Sequence, residues 1–190
     1  MRRLFVLAAA TLAAVGFLAP APSVGAAAPY CGITWGSLDK TASGMSTALV
    51  TNVRAGRHEC YDRLVFDLTA PAVSFPNQKV GYSVRYVPVV TADGTGDPVP
   101  LAGGAFLQIA VNVHDFDPWT GVPTYQPADR FHAVNVTGFQ TFRQVYYGGS
   151  FEGVTTAGLG VRARLPFRVF VLAGPGNGSR LVIDVAHRWS

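Results

Sequence analysis

The 190-residue chain carries little charge, 14% Asp, Glu, Lys and Arg, and it has only 2 cysteines and no run of basic residues. Each shortage excludes something. Without a basic run there is no dedicated nucleic-acid surface. One cysteine pair cannot staple a miniprotein, and with no CxxC it offers neither a redox motif nor a metal knuckle. Glu59 and Glu152 are the only glutamates, so the pair of carboxylates a glycosidase needs would have to draw on Asp67, Asp115, Asp117 or Asp184. No segment shows the 3.6-residue period of an amphipathic helix, and after residue 19 no apolar run approaches the roughly 20 residues of a bilayer span.

What is present begins with a leader. Met1-Arg2-Arg3, an apolar block from Leu4 to Ala19 and the small residues Val24-Gly25-Ala26 predict a secretory signal peptide over residues 1–26, with cleavage after Ala26 or, as a near alternative, Ala28. Pro20 and Pro22 cut the block short, which argues against a retained anchor. Arg2-Arg3-x-Phe5 leaves Sec and twin-arginine export both open. Ala28-Pro29-Tyr30 before Cys31 is not a lipobox, so the product is expected in the extracytoplasmic space or cell envelope without a covalent lipid or transmembrane segment. Loss of Arg2 and Arg3 lowers the net charge from +4 to +2. In an oxidising compartment an even cysteine count predicts a Cys31–Cys60 disulfide. Closing a loop of about 30 residues stabilises the fold by about 3.5 kcal/mol in the chain-entropy picture.

Residues 27–47 read as an irregular lead-in and residues 48–188 as a single domain. Beyond residue 47 the period is two, carried by Val, Ile, Phe, Tyr and Leu. Strands are expected over residues 48–54, 62–69, 80–91, 105–113, 132–137, 141–147, 158–164, 166–173 and 179–187. Turn sequences such as Asp93-Gly94-Thr95-Gly96, Gly103-Gly104 and Gly174-Pro175-Gly176-Asn177-Gly178 separate them. The class that follows is all-β, an antiparallel β-sandwich or a barrel. One hexapeptide recurs: Arg63-Leu64-Val65-Phe66-Asp67-Leu68 and Arg180-Leu181-Val182-Ile183-Asp184-Val185. Alternation turns Leu64, Phe66 and Leu68, and likewise Leu181, Ile183 and Val185, toward the core, with Arg and Asp outward. The copies are expected as equivalent strands of two halves, their outward charges forming cross-strand ion pairs.

These residues also carry a resemblance. The segment Asn52–Leu68, with Gly81–Val87, Gly94-Thr95-Gly96, Leu101–Leu107, Phe151–Arg162, Pro166–Phe170 and Arg180–His187, resembles the AMIN-like domain of secreted actinobacterial proteins over residues 48–188. The resemblance implies a sandwich of two antiparallel sheets related to the AMIN modules that tether cell-wall amidases to the envelope. It further implies a non-catalytic protein localised at peptidoglycan.

Catalytic and metal motifs are incomplete. Gly148-Gly149-Ser150-Phe151-Glu152 lacks the closing glycine of a nucleophile elbow. His114-x-x-Asp117 has no second close ligand pair. Gly174-Pro175-Gly176-Asn177-Gly178 is followed by no helix to cradle a phosphate, and Gly158-x-Gly160 lacks a third glycine. Nothing points to an enzyme or to a cofactor. Trp35, Trp119, Tyr125, Tyr146, Tyr147 and Trp189 could stack on sugar rings. A ligand groove is expected from His58, Asp62, Arg63, Arg85, Tyr86, Glu152, Arg168 and His187, in which arginines fork onto a stem-peptide carboxylate while Asp62 or Glu152 accepts amide or hydroxyl protons. The expected partner is cell-wall peptidoglycan or glycan. The alternatives are a secreted small-ligand binder or hydrolase, or a subunit that docks another protein through a sheet edge.

Overall fold

The structure is a computed structural model and describes residues 29–69 and 79–189; the leader expected over residues 1–26 lies outside them. A 3-10 turn at Tyr30–Gly32 precedes strands β1 (Lys40–Ala42), β2 (Val50–Arg57), β3 (Tyr61–Leu68), β4 (Tyr82–Val87), β5 (Val90–Thr91) and β6 (Pro98–Val99). Then follow β7 (Ala105–Val111), β8 (Phe142–Phe151), β9 (Val154–Val161), β10 (Phe167–Ala173) and β11 (Ser179–Ala186). They form a five-stranded sheet in the order β1-β4-β7-β9-β8, a four-stranded sheet in the order β10-β11-β3-β2, and a small β5-β6 hairpin. The fold is an open antiparallel β-sandwich and not a closed barrel.

The core follows from the period of two. Leu107, Ile109 and Val111 of β7 alternate with the more exposed Phe106, Gln108 and Ala110. They meet Leu64 and Phe66 of β3 and Leu181, Ile183 and Val185 of β11 in one continuous apolar cluster. Each such side chain, once buried, stabilises the sandwich by about 2 kcal/mol.

Five sequence expectations are corrected. The repeated hexapeptides do not sit in two halves; β3 and β11 are neighbours at the centre of one sheet, running antiparallel with Arg63 opposite Asp184 and Asp67 opposite Arg180. Residues 132–137 form no strand. They belong to the long β7–β8 connection, whose backbone caps the free edge of β8 through Tyr147 N–H to the Arg130 carbonyl at 2.7 Å and Ala133 N–H to the Val145 carbonyl at 2.9 Å. The span 80–91 breaks after Val87, just before Pro88, which has no N–H for a ladder. The strand expected at 158–164 runs instead over Val154–Val161. Finally, the lead-in is not wholly irregular, because Lys40–Ala42 pairs with β4.

The expected disulfide is formed: Cys31 joins Cys60 across a sequence separation of 29, with Cα atoms 6.4 Å apart. It pins the lead-in to the turn between β2 and β3. On the opposite surface the β5-β6 hairpin lies over β9, where Val90, Val99 and Tyr146 make a second small apolar cluster. Gly158 and Gly160 are what admit it. A Cβ at Gly158 would stand 2.9 Å from Val90 and Leu101 side chains, and one at Gly160 would overlap the Ala102 carbonyl oxygen. Gly160→Ala is therefore expected to displace the Leu101-Ala102 segment that follows the hairpin and lower the unfolding free energy by about 2 kcal/mol. A fall in the urea midpoint with unchanged slope is the readout.

Candidate functional site

The eight residues expected to form one groove are placed in separate locations. Asp62 and His187 are buried and face inward. The Asp62 carboxylate accepts the backbone N–H groups of Thr141 at 2.6 Å and Phe142 at 3.1 Å, and it pairs with His187 Nε2 at 3.2 Å. His187 Nδ1 lies 3.2 Å from the Glu59 carbonyl oxygen. This clasp ties the start of β3 to the start of β8 and the end of β11. Tyr86 is also internal: its hydroxyl donates to the Leu165 carbonyl at 2.7 Å and accepts the Leu165 N–H at 3.0 Å. Asp62, Tyr86 and His187 hold the two sheets together and offer no free group to a ligand.

Three more are exposed, and only His58 lies near other members of the set. His58 is exposed and stacks on Tyr61 with ring centroids 4.6 Å apart. Arg85 is exposed on β4, in the other sheet, beside Gln108. Glu152 occupies the β8–β9 turn at a φ of 48°, exposed.

Arg63 and Arg168 do converge. On the outer face of the four-stranded sheet both grip the Asp184 carboxylate, which is fully buried. Arg63 reaches Asp184 Oδ1 through Nε at 2.6 Å and Oδ2 through Nη2 at 2.9 Å, and Arg168 Nε reaches Oδ2 at 2.8 Å. The register makes this arrangement, since Arg63 on β3 and Arg168 on β10 both stand directly opposite Asp184 on β11. Aromatic rings floor the cluster. The Arg168 guanidinium lies 5.0 Å from the Phe170 ring, 5.3 Å from Tyr61 and 5.5 Å from Trp35, and that of Arg63 lies 5.2 Å from Tyr61. Trp35 arrives from the lead-in, held by its indole N–H on the Tyr30 carbonyl at 2.8 Å and by the neighbouring disulfide.

Two guanidinium groups against one carboxylate leave a surplus positive charge. The hydrogen bonds to Asp184 raise the Arg63 pKa further above its ordinary value, so the charge is permanent. The side chains of Arg63 and Arg168 are 22% and 31% exposed, enough to meet a ligand edge-on while their inner edges stay locked. Beside them Arg54 and Asp67 neutralise one another at 2.8 Å. A face of this kind is suited to an anionic group next to an apolar ring face. The residue that organises it, Asp184, was absent from the expected groove. The signal was present in the repeat: two copies of Arg-x-x-x-Asp aligned antiparallel put the Arg of one opposite the Asp of the other.

The fold and this face define an all-β sandwich domain with a basic, aromatic outer surface. Among the described residues no group of three or more His, Cys, Asp or Glu is placed to hold a metal ion, and no helix is long and apolar enough to cross a membrane. The chain belongs to the AMIN-like domain family, whose sequence profile matches residues 48–187. That match contains Arg63, Arg168 and Asp184, while Cys31 and Trp35 lie before it. No curated protein matches the chain. AMIN-like domains are in general non-catalytic binding modules associated with the cell wall.

The internal tyrosine gives a pH prediction. Burial pushes the Tyr86 phenol from 10.0 up to about 12. The unfolded chain ionises this group near pH 10 and the folded one near 12, so its stabilisation is complete below pH 10 and is lost as the pH rises through 12. Unfolding free energy is expected to fall across that window, and Tyr86→Phe to remove about 2 kcal/mol of the fall. Denaturant titrations of both proteins from pH 9 to 12 measure it.

Proposed function

We propose that the protein is exported, with residues 1–26 as its leader, and that it acts as a non-catalytic module binding cell-envelope peptidoglycan or glycan. The observation that carries this reading is the outer face built on Asp184, where Arg63 and Arg168 keep a surplus charge over the rings of Tyr61, Phe170 and Trp35. A stem-peptide carboxylate meets the exposed guanidinium edges, and a sugar or peptide face lies on the aromatic floor. Family membership supports the same reading, and the disulfide suits an oxidising compartment. Asp62, Arg85, Tyr86, Glu152 and His187 are not part of this contact surface, while His58 borders it through its stack on Tyr61.

The test is co-sedimentation of the mature, disulfide-bonded protein with purified peptidoglycan sacculi, with the supernatant assayed for released fragments. Saturable pelleting without release is expected. Arg168→Gln, which leaves Asp184 paired with Arg63, is expected to weaken pelleting about tenfold, while Arg85→Glu on the other sheet leaves it unchanged. Released fragments would make the protein a hydrolase, and pelleting indifferent to Arg168 would remove this face from the interaction.

A further inference from the structure

A second candidate lies away from the arginine face, in a cleft of about 540 Å³ between the β7–β8 connection and β8. It exists because β8 carries a bulge at Gly148, where the register slips between Tyr147 and Gly149. The slip sets Tyr147 opposite Ala157 and Ser150 opposite Thr155, two positions apart on β9 and so on the same inward face. Across from them Asp115 accepts the Tyr147 hydroxyl at 3.0 Å, and Tyr125 packs edge-on against the Tyr147 ring at 4.9 Å.

The walls are fixed in advance. The Asp115 carbonyl oxygen accepts the N–H groups of Thr124 at 2.7 Å and Tyr125 at 3.3 Å, and the Thr124 hydroxyl donates to the Val50 carbonyl at 2.7 Å. On the far side Arg130 is anchored by Nη2 on the Gly148 carbonyl at 2.6 Å and the Tyr146 hydroxyl at 3.2 Å. A preformed cleft loses little conformational freedom on binding.

Its chemistry is unfinished. Among the described residues the Asp115 carboxylate accepts one hydrogen bond, from Tyr147, and has no ion-pair partner. Among the described residues the buried Ser150 hydroxyl has no partner. Asp115 and Gln126 line the cleft, as does the Ser150 residue, whose hydroxyl oxygen is itself closed off from solvent. Burial and the charge of Asp115 push the Tyr147 phenol well above its ordinary value, so it remains a proton donor. The remaining walls are flat: Phe116, Pro123, Tyr125 and Pro127, with no Leu, Ile or Val.

We infer that this cleft is a saccharide-binding site for an uncharged pyranose unit, with Asp115 and Gln126 taking its hydroxyls and Tyr125 its apolar face. The occupant follows by exclusion of the other chemistries. An alkyl chain would leave the carboxylate and amide unsatisfied. A cation would face Arg130, and an anion would face Asp115. A pyranose is neutral, presents hydroxyls around its rim and has an apolar ring face, and the cleft volume lies within the range of ligand pockets. This inference does not depend on the arginine face, which lies on the outer surface of the other sheet.

Isothermal titration of the mature, disulfide-bonded protein with cellotriose, maltotriose and triacetylchitotriose tests it. Saturable binding of at least one trisaccharide is expected, weakened about tenfold by the near-isosteric Asp115→Asn and also weakened by Gln126→Ala at the cleft rim. Arg168→Gln is expected to leave this binding intact, so failure here and failure of the sacculus contact are separable. No saturable binding by any of the three below about 10 mM, or binding that Asp115→Asn and Gln126→Ala leave unchanged, overturns the inference.

Discussion

The pairing of β3 with β11 is the contact on which the rest of the structure depends. It joins residue 63 to residue 184 across most of the chain, closes the centre of the four-stranded sheet and gives the core Leu64, Phe66, Leu181 and Ile183. The same register brings the Asp184 carboxylate between Arg63 and Arg168. A carboxylate fully removed from water is stabilising only if its oxygens are met by donors, and removing the partners would leave a buried charge costing about 3 to 5 kcal/mol. Two arginines meet that demand where one would suffice for charge. The surplus appears at the surface, over aromatic rings, where it can act on something outside the molecule.

Other buried polar groups are fully used inside. Asp62 spends its oxygens on two backbone N–H groups and His187. Tyr86 both donates to and accepts from Leu165. Such groups are clasps between sheets. The contrast with Asp115, whose capacity is left open beside a cleft, separates architecture from sites.

Much of this was legible in the sequence, and the failures have a common cause. The two-residue period gave the all-β class, most strand positions and the inward sets of both hexapeptides. Local pattern says which face a side chain takes but not which strand lies next to it, so the two hexapeptides were placed in separate halves when they are neighbours. The groove failed for the same reason, since Arg85 and Glu152 share sequence character with Arg63 but not its sheet face, and of the three exposed residues only His58 borders it. Asp62 and His187 could have been read correctly: Asp62 has the parity of Leu64, and His187 that of Val185, and alternation alone turns both inward. The cleft was beyond sequence reading, because a bulge at Gly148 and a thirty-residue connection without regular structure bring Asp115 to Tyr147.

In the proposed function the Asp184-centred face is the surface that meets the cell wall. Arginine side-chain Nε–Hε signals report on it directly, because Arg63 and Arg168 bind Asp184 through that nitrogen. Titrating isotope-labelled protein with soluble peptidoglycan fragments and following those signals by NMR is the decisive measurement. The account predicts that the Arg63 and Arg168 resonances shift together with the amides of Tyr61 and Phe170, while Arg85 stays still. Shifts confined to Arg85 and the outer face of the five-stranded sheet would contradict it.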